Sequence, residues 1–372
     1  MLTKNEITEK ALELGFEDIG FTTVDPFDSQ LEILTERKEA YARLQRGLDL
    51  EKGTDPKAAL PDAKSIIVLM HSYFRKSFPR VMEAHFGRCY QDDDRIPRVA
   101  LSKRVKAFRS FLRDNNIDSK IPGNLPDRLT AARAGVGTFG KNNFFYSNKF
   151  GAKSSWVNPI NLVVDQEFEA DEPTIEVGCP DWCKNACIIA CPTRAIKAPN
   201  KLDPRLCISN LSYNSRDINP VELREPMGLW VYGCDRCQNV CPRNAPWLAN
   251  DLPVNEKVAA KVDDFELTKL LHMDEEYFES KIWLHMFYIP TKHMWLWKMN
   301  VARVMGNSCN FDYIPELIRA FSENDDERVK GMIAWSLGRL GGDTAKSALD
   351  EWLPASEGLV QEEITRALEM IG

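Results

Sequence analysis

The first fifteen residues, "MLTKNEITEKALELG", set charged positions around Leu12 and Leu14, with Gly15 as a stop, and predict an amphipathic helix. Strand-length apolar runs follow at "SIIVLM" (residues 65–70) and "INLVVD" (160–165). Between them, over residues 98–113, Leu101, Val105, Phe108 and Leu112 recur at helical spacing, with Lys103, Arg104, Lys106 and Arg109 off that stripe. The mixture predicts an α/β domain over residues 1–170, and the basic positions predict a surface helix with a solvated face. From 171 to 250 the periodicity fades. After Met299 it returns as a repeat: Ala302, Met305, Gly306 and Leu317 are matched 32 residues later by Ala334, Leu337, Gly338 and Leu349, with a weaker third copy at Ala367 and Met370. Stacked helix pairs are expected over 251–372.

Composition adds limits. With 372 residues, 44% hydrophobic and 28% charged, the chain has material for two or three cores. Its apolar runs fall far short of the roughly 20 residues that span a bilayer, and its first residues lack the apolar stretch of a secretion signal. A cytoplasmic, membrane-free monomer is expected. The period of the final segment is that of HEAT-like repeats, which commonly present a binding surface. From Met299 to Gly372, 7 Lys and Arg face 13 Asp and Glu, the wrong sign for gripping phosphates.

The chemistry lies in the cysteines. Eight of ten fall between Cys179 and Cys241, more than a reducing compartment would keep as disulfides. Cys89 and Cys309 stand apart and are expected to be small buried hydrophobes. "GCPDWCKNACIIACPT" spaces Cys179, Cys183, Cys187 and Cys191 evenly; the second group is Cys207 with Cys234, Cys237 and Cys241 in "GCDRCQNVCPRN". Each group ends C-x3-C-P. In two-cluster ferredoxin-like domains the Cys before the proline crosses to the other cluster. On that rule Cys179, Cys183, Cys187 and Cys241 hold one 4Fe–4S cluster, and Cys191, Cys207, Cys234 and Cys237 the second. Zinc is the alternative for four thiolates.

Several segments resemble the epoxyqueuosine reductases, cobalamin-dependent iron–sulfur enzymes of tRNA modification. They are "AARAGVGTFGKNN" (131–143), "ACPTRAI" (190–196), "LDPRLCISNL" (202–211), "ELREPMGLWVYGCDRCQNVCPRN" (222–244), "NVARVMGNS" and "AWSLGRLGG". The resemblance implies an α+β multidomain chain: a nitroreductase-like α/β cobalamin domain (1–170), a ferredoxin-like double-cluster domain (171–250) and an all-α repeat domain (251–372). It implies two 4Fe–4S clusters relaying electrons to a cobalamin, a low-potential donor such as ferredoxin or flavodoxin, and a tRNA substrate. By the family motif, Arg133, Gly135, Gly137, Lys141 and Asn142 lie near the corrinoid or the substrate.

The sequence also departs from the family. The family's first run is C-x2-C-x2-C-x3-C-P, so here each of the first two gaps is one residue wider, and the loop carrying Pro180, Asp181 and Trp182 predicts an altered shell around the first cluster. A D-x-x-P aspartate that serves the family as proton donor has no match in "KIPGNLPDRLTAARAG"; Asn124 and Asp127 are the nearest polar residues, and Asp127 is the candidate acid. The family's tryptophans in CPWN and GWxGKN are replaced by Arg243 and Thr138. The approach to the repeats offers Lys292, His293 and Lys298 beside Trp295 and Trp297. Three readings follow: an epoxyqueuosine reductase-like enzyme, a related corrinoid reductase of another small substrate with reductive-dehalogenase-like logic, and an iron–sulfur electron-transfer protein without cobalamin.

Overall fold

The apolar run after Lys64 forms a strand buried on both faces, and its alternate residues feed two separate cores. The computed structural model describes residues 2–42, 48–92, 100–151 and 153–372. By contacts these sort into two compact units: 1–75, 97–204 and 236–252 form the first, and 76–96, 205–235 and 253–372 the second. The grouping cuts across the three successive segments expected from sequence, because the second cysteine run is divided after Asp235.

In the first unit, β1 (Asp18–Thr23), β2 (Ser65–Ser72), β3 (Ser119–Lys120) and β6 (Val157–Val164) make an antiparallel sheet in the order β1-β2-β6-β3. Its register pairs Asp18 with Met70 and Ser65 with Val164. Successive side chains alternate faces. Ile66, Val68 and Met70 join the core that includes Val163 and, from helix α3 (Asp127–Arg133), Ala131 and Ala132. Ile67 and Leu69 join the opposite core with Leu162 and Val164. Helices α1 (Lys4–Glu13), through Ile7 and Ala11, and α2 (Ala100–Asp114), through Phe108 and Leu112, cover that second face. The first helix thus buries Ile7 and Ala11, while Leu12 is 49% exposed.

The predicted basic helix is present from Ala100, and Arg98 lies outside the described residues. Its charge is not all solvated. Arg104 donates to the Gly15 carbonyl at 2.6 Å, and Arg109 to the Ser119 carbonyl at 2.9 Å. A two-stranded ribbon, β4 (Gly137–Phe139) and β5 (Phe145–Ser147), carries the glycine-rich motif.

The second unit is built on helices: α5 (Ile208–Asn214), which follows the short α4 (Ala186–Ile189) of the first unit, then α6 (Met294–Asn307), α7 (Ile314–Glu323), α8 (Glu327–Leu340), α9 (Asp343–Trp352) and α10 (Gly358–Ile371). The 32-residue repeat has a packing cause. A Cβ on Gly306 would come within 2.8 Å of the Ser336 backbone, and one on Gly338 within 2.7 Å of Ala367. Equivalent glycines therefore let α6 close on α8 and α8 on α10. Ala302, Ala334, Leu317 and Leu349 are fully buried, whereas Met370, from the weaker third copy, is 41% exposed. Within this unit "ELREPMGLW" is clamped by "NVARVMGN". Arg224 makes a two-pronged ion pair with Glu363 at 2.6 and 2.8 Å, Arg303 donates to the carbonyls of Gly228 and Trp230, and Asn307 donates to that of Arg224. Burial without an acidic partner pulls the Arg303 pKa down to about 9. Trp297 is buried and Trp295 carries Arg328 over its ring at 3.5 Å, so the tryptophans of the repeat approach are spent on packing.

No described helix is long and apolar enough to cross a membrane.

Candidate functional site

The two cysteine runs meet inside the first unit, where α4 packs against the helical turn Arg236–Asn239. Cys183, Cys187 and Cys241 are buried and Cys179 is half-buried. Burial pushes the Cys187 thiol up to about 11, and its neighbours Cys241, Cys179 and Cys183 add to the rise. These three are the thiols that the crossing rule joins to Cys187. Among the described residues no three His, Cys, Asp or Glu side chains close on a single ion's position.

The loops between the first thiols are short turns with exposed apolar tips. The Cys183 amide closes a turn on Pro180, Asn185 takes a left-handed conformation ahead of α4, and Trp182 and Ile189 stand 69% and 77% exposed. Donors converge on the sulfurs. The Lys141 amide reaches Cys179 Sγ at 3.3 Å, the Ala195 amide reaches Cys191 Sγ at 3.2 Å, and the Tyr146 hydroxyl donates to Cys241 Sγ at 3.0 Å. Such donors stabilise thiolates and tune a bound cluster. Burial, and then the Cys241 thiol, hold the Tyr146 hydroxyl well above its ordinary pKa, so it remains a donor.

The second run is anchored behind the thiols. Asn244, fully buried, accepts from the Ser155 amide at 2.9 Å and donates to Ser155 Oγ and the Gln238 carbonyl, while Ser155 Oγ donates to Gln238 Oε1. Sequence reasoning missed Tyr146, Ser155 and Gln238. A tyrosine in a short strand and a serine before a tryptophan carry no spacing signal. Cys191 and Cys237 belong to the first unit, and Cys207 and Cys234 to the second. Cys309 is exposed and Cys89 half-buried, so neither is the buried hydrophobe expected from sequence.

The glycine-rich motif serves these loops. Lys141 Nζ donates to Asn185 Oδ1 at 2.9 Å, and buried Asn142 donates to the Tyr146 hydroxyl and the Cys237 carbonyl. Arg133 donates to the Asp25 carbonyl and Thr23 Oγ1 and lies 4.3 Å over Phe27. Gly135, at φ +68°, and Gly137 answer to packing, since a Cβ would meet the Glu172 carbonyl at 2.5 Å and the Tyr146 carbonyl at 2.2 Å. The three side chains are thus bonded within the chain.

Of the two polar residues near the family's proton donor, Asn124 is committed to the Asp49 carbonyl at 2.7 Å. Asp127 opens α3 and accepts from Asn161 Nδ2 at 2.6 Å. The residue as a whole is exposed, yet the protein packed around its carboxyl pushes the pKa up to about 6, against the lowering effects of Asn161 and Arg128.

Residues 180–244 match the 4Fe-4S double cluster binding domain, and residues 295–369 match HEAT repeats. The epoxyqueuosine reductases of Staphylococcus aureus and Bacillus subtilis are each 28% identical, over 98% and 99% of this chain and 96% of each relative. A crystal structure of selenomethionine-labelled epoxyqueuosine reductase superposes with a TM-score of 0.85 at 27% identity, covering 99% of both chains. A structure of epoxyqueuosine reductase with a tRNA-Tyr epoxyqueuosine-modified tRNA stem loop gives 0.82 at 27% identity, over 99% of this chain and 98% of that one. Over nearly its whole length, in sequence and in fold, the chain is thus similar to epoxyqueuosine reductases.

Proposed function

We propose that this chain reduces epoxyqueuosine in tRNA, feeding electrons one at a time through two 4Fe–4S clusters. The observation that carries the reading is the company of Cys187, whose thiol neighbours are Cys179, Cys183 and Cys241 across two separated runs. These four would hold the first cluster, and Cys191, Cys207, Cys234 and Cys237 the second. The reaction removes the epoxide oxygen as water, consuming two electrons and two protons and leaving an alkene.

A cobalamin completes the family's cofactor set and supplies the low-valent cobalt chemistry at the substrate. By the family motif, Arg133, Gly135, Gly137, Lys141 and Asn142 would lie near it or near the substrate. What this chain contributes is legible in its own side chains. Thiolates and the amide and hydroxyl donors hold the clusters, and Asp127, with a pKa near 6, carries a proton in a useful fraction of molecules near neutral pH. A reducing cytoplasm and a low-potential donor such as ferredoxin or flavodoxin fit eight cysteines held outside any disulfide.

The acidic repeats leave tRNA to be held by shape and by local contacts more than by net charge. Single-turnover assay of anaerobically reconstituted protein with epoxyqueuosine-containing tRNA should yield queuosine. If clusters and cobalamin are present at full occupancy and the tRNA is unchanged, the substrate assignment fails.

A further inference from the structure

Arg243 is not one of the thiolate ligands. It lies two residues beyond Cys241, half-buried, with its guanidinium 4.1 Å over the Tyr146 ring. Its Nη1 donates to the Gly178 carbonyl at 2.9 Å and to Thr138 Oγ1 at 3.1 Å. Gly178 immediately precedes Cys179, and the Tyr146 hydroxyl donates to Cys241 Sγ. The cation is therefore fixed between the surroundings of two thiols of the first set. No carboxylate pairs with it among the described residues. Thr138 and Arg243 are also the two positions where the sequence departs from the family's tryptophans, and the bond between them makes the two departures one coupled change.

We propose that Arg243 is a positioning residue that raises the reduction potential of the cluster assigned to Cys179, Cys183, Cys187 and Cys241. Reduction adds one electron, drawn from the low-potential donor, to a cube already bearing thiolate charge. A fixed cation in a partly desolvated setting stabilises that reduced form more than the oxidised one. Burial pulls the Arg243 pKa below its ordinary value, while Tyr146, Cys179 and Cys241 oppose that effect, and a guanidinium starting so high keeps its charge at neutral pH. A tryptophan pair would fill the space without the charge. The consequence is a first cluster that is easier to fill with an electron and a smaller driving force for passing it on.

The inference rests on the two-cluster reading, and the test separates the two. The chain is reconstituted anaerobically with iron and sulfide, without cobalamin, and titrated potentiometrically under EPR. Wild type should hold two clusters; a protein with fewer overturns the reading beneath. In Arg243→Gln one midpoint should move negative by at least a tenfold change in the reduced-to-oxidised ratio, about 59 mV for one electron, with the other unmoved. Arg243→Lys should keep most of the wild-type value. Should Arg243→Gln assemble poorly, Arg243→Met retains the apolar stem against Tyr146 and should show the same shift. An unchanged midpoint, an equal shift of both clusters, or a Lys variant displaced as far as Gln would each overturn the proposal.

Discussion

Around the first four thiols the supporting groups are amides, a phenol and a guanidinium, each placed by one or two hydrogen bonds. In the helical repeats they are alanines, leucines and glycines repeated at a fixed interval, and the load is spread over whole helix faces. The cysteine loops have little regular structure and wait for metal to supply their cohesion. The repeats need nothing bound. Single substitutions should therefore abolish a function in the first region and merely lower stability in the second.

The sharpest break is Cys241→Ala. Removing the thiol that crosses from the second run should halve the iron content and cut reductase activity by orders of magnitude, while the folded fraction by far-UV circular dichroism stays near wild type. In the repeats the largest single effect should come from Glu363→Gln. This breaks the buried pair with Arg224 and should cost about 3–5 kcal/mol, read as a lower denaturation midpoint, because an unpaired buried charge remains. Gly338→Val should follow, at about 1–3 kcal/mol, since α8 and α10 would have to part by enough to clear a Cβ 2.7 Å from the Ala367 backbone. Iron content should be unchanged in that variant, which separates the two regions.

Asp127→Asn probes the smallest effect on stability. The carboxyl titrates near pH 6 when folded and near its ordinary 3.8 when unfolded, so the folded chain binds that proton more tightly. Its favourable contribution is fully present below about pH 4 and is lost as pH rises through about 6. In the variant the midpoint of thermal unfolding should fall less between pH 5 and 7 than in wild type. If Asp127 also delivers the proton, the same substitution should slow turnover by about 10²-fold to 10⁴-fold without altering cluster content.

The same contrast explains what the sequence disclosed. The continuous run "SIIVLM" announced a strand, and the 32-residue spacing announced the repeats through Gly306 and Gly338, because both patterns are consequences of packing geometry. The thiols were legible from their spacing and prolines. Their supporting donors were not: Tyr146 and Ser155 lie 95 and 83 residues from the Cys241 and Gln238 atoms they bond, and only the folded chain brings them together. The family motif around Lys141 and Asn142 marked an important place, but the structure uses those two side chains to tie down the cysteine loops.

The central claim is that the widened first run still completes two clusters. Iron and acid-labile sulfide per chain after anaerobic reconstitution test it directly. About eight of each, for two 4Fe–4S clusters, with EPR signals of both on reduction, is the expected result; about four of each, a three-iron species, or zinc in place of iron would contradict it.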